Sequence, residues 1–197
     1  MKRAEGAATR RMGPAGSVTW SAMLDGAEDI LREEGYAALT SRRIAERIGV
    51  KQRLVYYYFR TMDDLIIETF RRLAVRELER LAGALASERP LREIWDVCIH
   101  TSDARLVSEF MALANRIDGL RTEVISFIKK SRRMQVAALS AALKGKSRKG
   151  RIPPVGLAIL ANSVALTLNR EGEIGVKTGH AEIMTVISDF LAELEPD

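Results

Sequence analysis

Residues 40 to 60 read TSRRIAERIGVKQRLVYYYFR and hold most of the side chains able to do recognition chemistry. A guanidinium such as that of Arg53 can donate a bidentate pair to guanine O6 and N7. The Gln52 amide can pair with adenine N6 and N7, and each good pair discriminates by about 1–3 kcal/mol. Arg42, Lys51 and Tyr56 suit phosphate oxygens, contacts that hold register without reading sequence. Tyr57 suits either task, or packing. The stretch carries Arg42, Arg43, Arg47, Lys51, Arg53 and Arg60 against Glu46 alone, an excess of +5 that equals the formal net charge of the whole chain. A concentrated cationic surface beside amides and phenols is the footprint of a phosphate binder.

The spacing supplies elements to carry these groups. Thr40 is a hydroxyl suited to an N-cap. Ile44, Ala45 and Ile48 then fall on one helical face. Gly49 ends that helix, because glycine takes a left-handed backbone without steric cost. Val50 closes the corner, and a second short helix is expected from about Gln52 to Tyr58. Two short helices across a tight glycine turn form a helix-turn-helix, whose second member fits the DNA major groove. A solvated basic hairpin would explain the charge but not the coincidence of cap, glycine and cation pattern.

Flanking segments read as supports. From Ser17 to Glu34, with Ser17 or Thr19 as cap, Leu24, Ala27, Ile30 and Leu31 make one apolar face, and Gly35 is the stop. Tyr36 and Leu39 tuck the connection inward. Thr61 caps a long helix expected from Met62 to Ala86, with Asp63 and Asp64 favourably placed in its first turn. Its apolar stripe is Leu65, Ile66, Thr69, Phe70, Leu73, Leu78 and Leu81. That length carries it out of a first domain and into a second, so it can transmit a rotation.

With 197 residues, 47% of them hydrophobic, the chain can bury one or two helical cores. Cys98 is the single cysteine, so no internal disulfide framework exists and a reducing compartment is expected. No apolar run approaches the ~20 residues that span a bilayer, and the N-terminus lacks the apolar core of a secretory signal. His100 and His180 are too sparse for a metal or catalytic cluster, and no phosphate loop or Ser/His/Asp grouping is present. The sequence therefore calls for no enzyme, cofactor or metal, and for a cytoplasmic protein.

Residues 1–16 read as a flexible basic arm whose Lys2, Arg3, Arg10 and Arg11 are able to follow a minor groove. Residues 17–62 form the helix-turn-helix domain, and residues 63–197 a second helical domain. In that second part Pro90 opens a helix through Ile99, and Ser102-Asp103 opens another that runs to about Asn115. A longer helix is expected from Leu120 to Leu143. KGKSRKGR, residues 144–151, is a basic surface loop. Pro153-Pro154 opens a helix to about Asn169 that is apolar over much of its circumference, as if buried on several sides. The last helix spans about Ala181 to Glu195. Two adjacent apolar helices at the end invite pairing with their copies in a second chain.

The order of helix, Gly35-Tyr36, capping Thr40, Ile44-Ala45, Gly49-Val50, Tyr56-Tyr57-Tyr58-Phe59 and Asp64-Leu65 resembles the N-terminal domain of the tetracycline-repressor (TetR) family, over about Trp20 to Phe70. The resemblance implies an all-α protein: a three-helix DNA-binding domain, then a helical domain for ligand binding and dimerisation. It implies that Thr40, Ser41 and Arg42 contact phosphates and that Lys51, Gln52, Arg53 and Leu54 form the leading turn of the recognition helix. It also implies that the Tyr56 hydroxyl reaches the DNA backbone and that Phe59 packs inside. Several positions depart from the family pattern. Lys51 replaces a capping Ser or Thr, Arg53-Leu54 replaces Gly-Thr, Tyr58 stands where His is frequent, and Met62 replaces a phosphate-touching lysine that Arg60 is placed to substitute.

By the same resemblance, the chain is a dimeric regulator of double-stranded DNA, more often a repressor, that reads a palindrome and is released by a small-molecule effector. Trp95, Cys98, Phe110, Met111, Asn115, Phe127 and Met134 are the large apolar and polar side chains available for such a ligand site. The competing reading is a basic helical module that binds a protein or membrane surface, which accounts for the charge but not for the spaced glycine, threonine and tyrosines.

Overall fold

The computed structural model describes residues 13–100, 104–144 and 152–196. The described residues are helical with no strands. In order they form α1 (Val18–Glu33), a 3-10 turn (Tyr36–Ala38), α2 (Ser41–Arg47), α3 (Gln52–Tyr58), α4 (Met62–Leu85), α5 (Pro90–Ile99), α6 (Ala104–Leu113), α7 (Asp118–Ala142), α8 (Pro154–Glu173) and α9 (His180–Leu194). The chain divides into two compact units between Thr69 and Phe70, inside α4.

The first unit is assembled by caps and small residues. Ser17 Oγ accepts from the Trp20 N–H at 3.2 Å and Thr40 Oγ1 from the Arg43 N–H at 3.1 Å, each satisfying an orphan donor of a helix start. Thr61 and Asp64 cap each other reciprocally, N–H to Oδ2 at 3.1 Å and N–H to Oγ1 at 3.0 Å. This is a capping box with an aspartate in its last place. After α2, Gly49 takes φ 70°. The Val50 N–H then reaches the Ala45 carbonyl at 2.9 Å and the Gly49 N–H the Glu46 carbonyl at 3.4 Å, a Schellman closure.

Gly26 in the middle of α1 lets α2 come close. A methyl group there would stand 3.0 Å from Ile48 Cγ2. The core beneath is Met23, Leu24, Ala27, Ile30, Leu31, Ile44, Val55, Phe59, Leu65 and Ile66, all at most 2% exposed. Phe59 stacks on Trp20 with ring centroids 6.3 Å apart. Burying one such side chain is worth about 1.5–3 kcal/mol.

In the second unit, Phe70 meets Phe110 and Phe127 edge-on, at 5.3 and 6.0 Å. A second cluster gathers Leu81, Leu91, Ile94, Ala138, Leu143, Leu191 and Leu194. The start of α5 has no cap from Arg89. Glu195 serves instead, its carboxylate accepting from the N–H groups of Leu91 at 2.7 Å and Arg92 at 3.1 Å. A carboxylate at a helix N-terminus satisfies orphan donors and complements the dipole.

Residues 1–16 were expected to form a flexible arm; of those described, Gly13 is held while Pro14, Ala15 and Gly16 are exposed. Gly13 is buried and donates its N–H to the Tyr57 carbonyl at 3.0 Å. Residues 1–12, with Lys2, Arg3, Arg10 and Arg11, lie outside the described residues, as do 145–151 of the basic loop. α8 is not buried on several sides within the chain. It buries Ala158, Ala165 and Leu168, and leaves Val155, Ile159, Leu160 and Leu166 each more than 40% exposed.

Candidate nucleic-acid interface and ligand cavity

The α2–α3 corner presents its polar residues outward. Lys51, Gln52, Arg53, Tyr56 and Tyr57 are exposed on α3 or its cap, Leu54 is half-buried, and Val55 and Phe59 point into the core. Thr40 and Arg42 are exposed at the start of α2, and Arg60 is exposed after α3. Lys51 provides no side-chain cap to α3, as its type foretells.

Ser41 differs from its neighbours. It is 4% exposed, and its hydroxyl is turned toward α3. Its hydroxyl accepts from Gln52 Nε2 at 2.9 Å and donates to the Tyr56 hydroxyl at 3.0 Å. A relay thus runs from the amide of α3, through α2, back to a phenol one turn further along α3. Chained donors of this kind polarise one another and fix side-chain orientation. The Tyr56 hydroxyl accepts within the relay, so its own proton is free to point outward.

The positive charge is smaller than the sequence count. Arg43 forms a fork with Glu34, Nη2 to Oε1 at 2.7 Å and Nε to Oε2 at 3.0 Å. Arg47 reaches Glu33 at 2.7 Å and Glu34 at 2.9 Å. These partners hold both carboxyls below the ordinary carboxylate range, mainly through hydrogen bonds from Arg47 to Glu33 and from Arg43 to Glu34. Counting Glu33 and Glu34 with the six cations and Glu46 lowers the local excess from +5 to +3. The count over residues 40–60 missed this because both partners lie outside that window. Arg42 pairs with Glu46 at 2.8 Å on one helical face, yet its side chain is 79% exposed and available to exchange partners.

Tyr58 is half-buried and edge-on to Tyr57 at 5.3 Å. Its hydroxyl accepts from Ser17 Oγ at 3.4 Å. A methyl group on Gly13 would fall 2.4 Å from the Tyr58 ring and 2.8 Å from the Tyr57 ring, so the close approach of the chain at this point needs glycine.

The second unit encloses a cavity of about 440 Å³. α4 contributes Phe70, Leu73, Ala74, Glu77 and Leu81, and α7 contributes Val124, Phe127, Ile128, Ser131, Arg132 and Gln135. α5, α6 and α8 complete the wall. Of the residues named from sequence, Cys98, Met111 and Phe127 line it. Phe110 is fully buried behind Phe70, while Trp95 and Met134 pack against the second core cluster. Asn115 is exposed in the turn after α6.

Polar lining residues that sequence reading passed over are Glu77, Arg132, Gln135 and Asn162. Asn162 donates to Gln135 Oε1 at 2.7 Å and to the Ala158 carbonyl at 2.6 Å. Polar residues at helical spacing between apolar ones were the available signal. Burial pushes the Cys98 thiol up to about 11, so it stays protonated and a poor nucleophile at neutral pH. Among the described residues no group of His, Cys, Asp and Glu could hold a metal ion. No helix there is long and apolar enough to cross a membrane.

Residues 23–69 match the family model of bacterial regulatory proteins, tetR family. The matched segment, about a quarter of the chain, contains the whole α2–α3 corner and is similar to the regulators of that family. No curated protein matches the chain at a significant level. Solved structures share the fold across both units. A transcriptional regulator from Saccharomonospora viridis, in complex with choline, superposes with TM-score 0.73 at 14% identity, over 89% of this chain and 95% of that one. A TetR transcription regulator from Haloarcula marismortui gives 0.70 at 18%, over 88% and 96%. SmeT in complex with triclosan gives 0.61 at 21%, over 92% and 86%.

Proposed function

We propose that this chain is a TetR-family regulator that acts in the cytoplasm as a repressor. In this reading it binds a palindromic operator as a homodimer and leaves it when a small molecule occupies the second-unit cavity. The observation that carries the DNA half is the outward display of Gln52 and Arg53, with the Gln52 amide already oriented by Ser41. Arg53 and Gln52 read base edges in the major groove, and Leu54 offers an apolar contact. Thr40, Arg42, Lys51 and Tyr56 hold phosphates, and Tyr57 flanks them.

The dimer is supported by the apolar surface left on the last two helices and their connection. Val155, Ile159, Leu160, Leu166, Ile174, Val176, Met184 and Val186 are each at least 38% exposed. Apolar surface on this scale marks an interaction face, and a two-fold arrangement covers it with its own copy. Two recognition helices then meet half-sites about one helical turn of DNA apart, or a small multiple of that. An effector releases DNA only by favouring a different spacing of the two helices.

A mobility-shift titration on the DNA upstream of the protein's own gene tests this reading. Random DNA serves as competitor and salt is varied. A specific complex whose affinity falls steeply with salt is expected. Equal affinity for random DNA would overturn sequence-specific recognition and favour a basic module for protein or membrane surfaces.

A further inference from the structure

Aromatic and cationic side chains share the cavity lining, and one of those cations carries an unsatisfied nitrogen. The Nε of Arg132 is buried and has no hydrogen-bond partner. A buried guanidinium N–H without an acceptor is costly, and a ligand that brings an acceptor relieves that cost. The single carboxylate among the lining residues, Glu77, is already engaged by Arg80 at 3.0 Å and is only 11% exposed. A cationic ligand would have to compete for it. Arg170 adds a second positive charge to the lining. Apart from the Glu77–Arg80 pair, the wall is therefore electropositive.

The aromatic lining stands at a defined spacing from this cation along α7. Phe127 and Arg132 lie five residues apart on α7, about 7.5 Å along its axis at 1.5 Å per residue. Phe70 packs edge-on to Phe127 from α4.

We propose that the cavity takes an apolar monocarboxylate, its head on the Arg132 guanidinium and its hydrocarbon body over Phe127 and Phe70. A carboxylate is the planar two-oxygen acceptor that matches a guanidinium fork. This rests on reading the cavity as an effector site, and the test separates the two.

Octanoate, 1-octanol and octylamine are titrated into the full chain by calorimetry, below any micelle concentration. Octanoate is expected to bind at least tenfold more tightly than either of the others. Arg132→Gln is expected to abolish that difference, and Arg132→Lys, which keeps charge but loses the fork, to retain part of it. Should Arg132→Gln fail to fold, Arg132→Lys alone decides the point: full wild-type preference overturns the role of the fork. Equal or tighter binding of octanol or octylamine, or no binding of any of the three, overturns the ligand class. Operator release is read separately by mobility shift. Tight octanoate binding without release counts against the effector reading and leaves the ligand class standing.

Discussion

The Ser41 hydroxyl donates to the Tyr56 hydroxyl across the α2–α3 corner at 3.0 Å while it holds the Gln52 amide at 2.9 Å. A buried serine thereby sets the orientation of two exposed groups, one suited to bases and one to phosphate. Ser41→Ala should weaken operator binding by roughly two- to tenfold, the equivalent of losing one net hydrogen bond of about 0.5–1.5 kcal/mol. The check is a double-mutant cycle with Tyr56→Phe in a binding titration. Additive losses would mean the two hydroxyls act independently.

Arg53 in α3 and Lys51 at its N-cap are both exposed, and their variants should separate cleanly. Arg53→Ala is expected to cost about 1–3 kcal/mol on the preferred operator and relax selection at one base pair. Lys51→Ala should weaken all DNA similarly and lower the salt slope by about 1. Affinities measured on a set of single-base operator variants at three salt concentrations distinguish these outcomes.

Gly49 stands in open space at φ 70°, with nothing near a substituted side chain. Gly49→Ala therefore isolates the backbone term, about 1–2 kcal/mol for an L-residue in the left-handed region. Urea denaturation followed by circular dichroism should show that loss. A neutral result would mean the corner relaxes into another turn.

The Arg43–Glu34 and Arg47–Glu33 pairs give a signed pH dependence. The carboxyls titrate below the ordinary glutamate range in the folded chain because guanidinium groups hydrogen-bond to them. Their contribution is then present above the unfolded pKa and lost as pH falls through the folded one. Melting temperature should decline below pH 4.5, and the decline should be shallower in the Glu33→Gln/Glu34→Gln double variant. Identical slopes would show that these exposed pairs contribute nothing measurable.

On the dimer, Val186 on α9 is 60% exposed. Val186→Glu should leave the protomer folded yet shift its mass by light scattering from dimer to monomer, because an uncompensated charge opposes burial of that face. Retention of the dimer would place the interface elsewhere.

The first unit was legible because its signals are local. Caps, glycines and periodic apolar residues act within a few positions, so Ser17, Thr40, Gly49 and Thr61 marked element ends that the structure keeps. The pairing of Arg43 and Arg47 with α1 was not legible, because the carboxylates stand 9 to 14 residues upstream of their partners. The burial of Ser41 escaped notice for a related reason: a serine at a helix start reads as exposed until the next helix closes over it. The cavity was least legible. Its lining comes from five helices, so Glu77, Arg132, Gln135 and Asn162 looked like ordinary polar positions on three separate helices. Met111 and Phe127 stood out by size alone, and so did Trp95, which packs elsewhere.

Glu195 joins the tail of the chain to the first turn of α5, a helix that carries Val97 and Cys98 into the cavity wall. Loss of that one carboxylate would thus be felt inside the chamber through the first turn of α5, with α9 itself left wound. A population altered at this single side chain would then respond to small molecules unevenly.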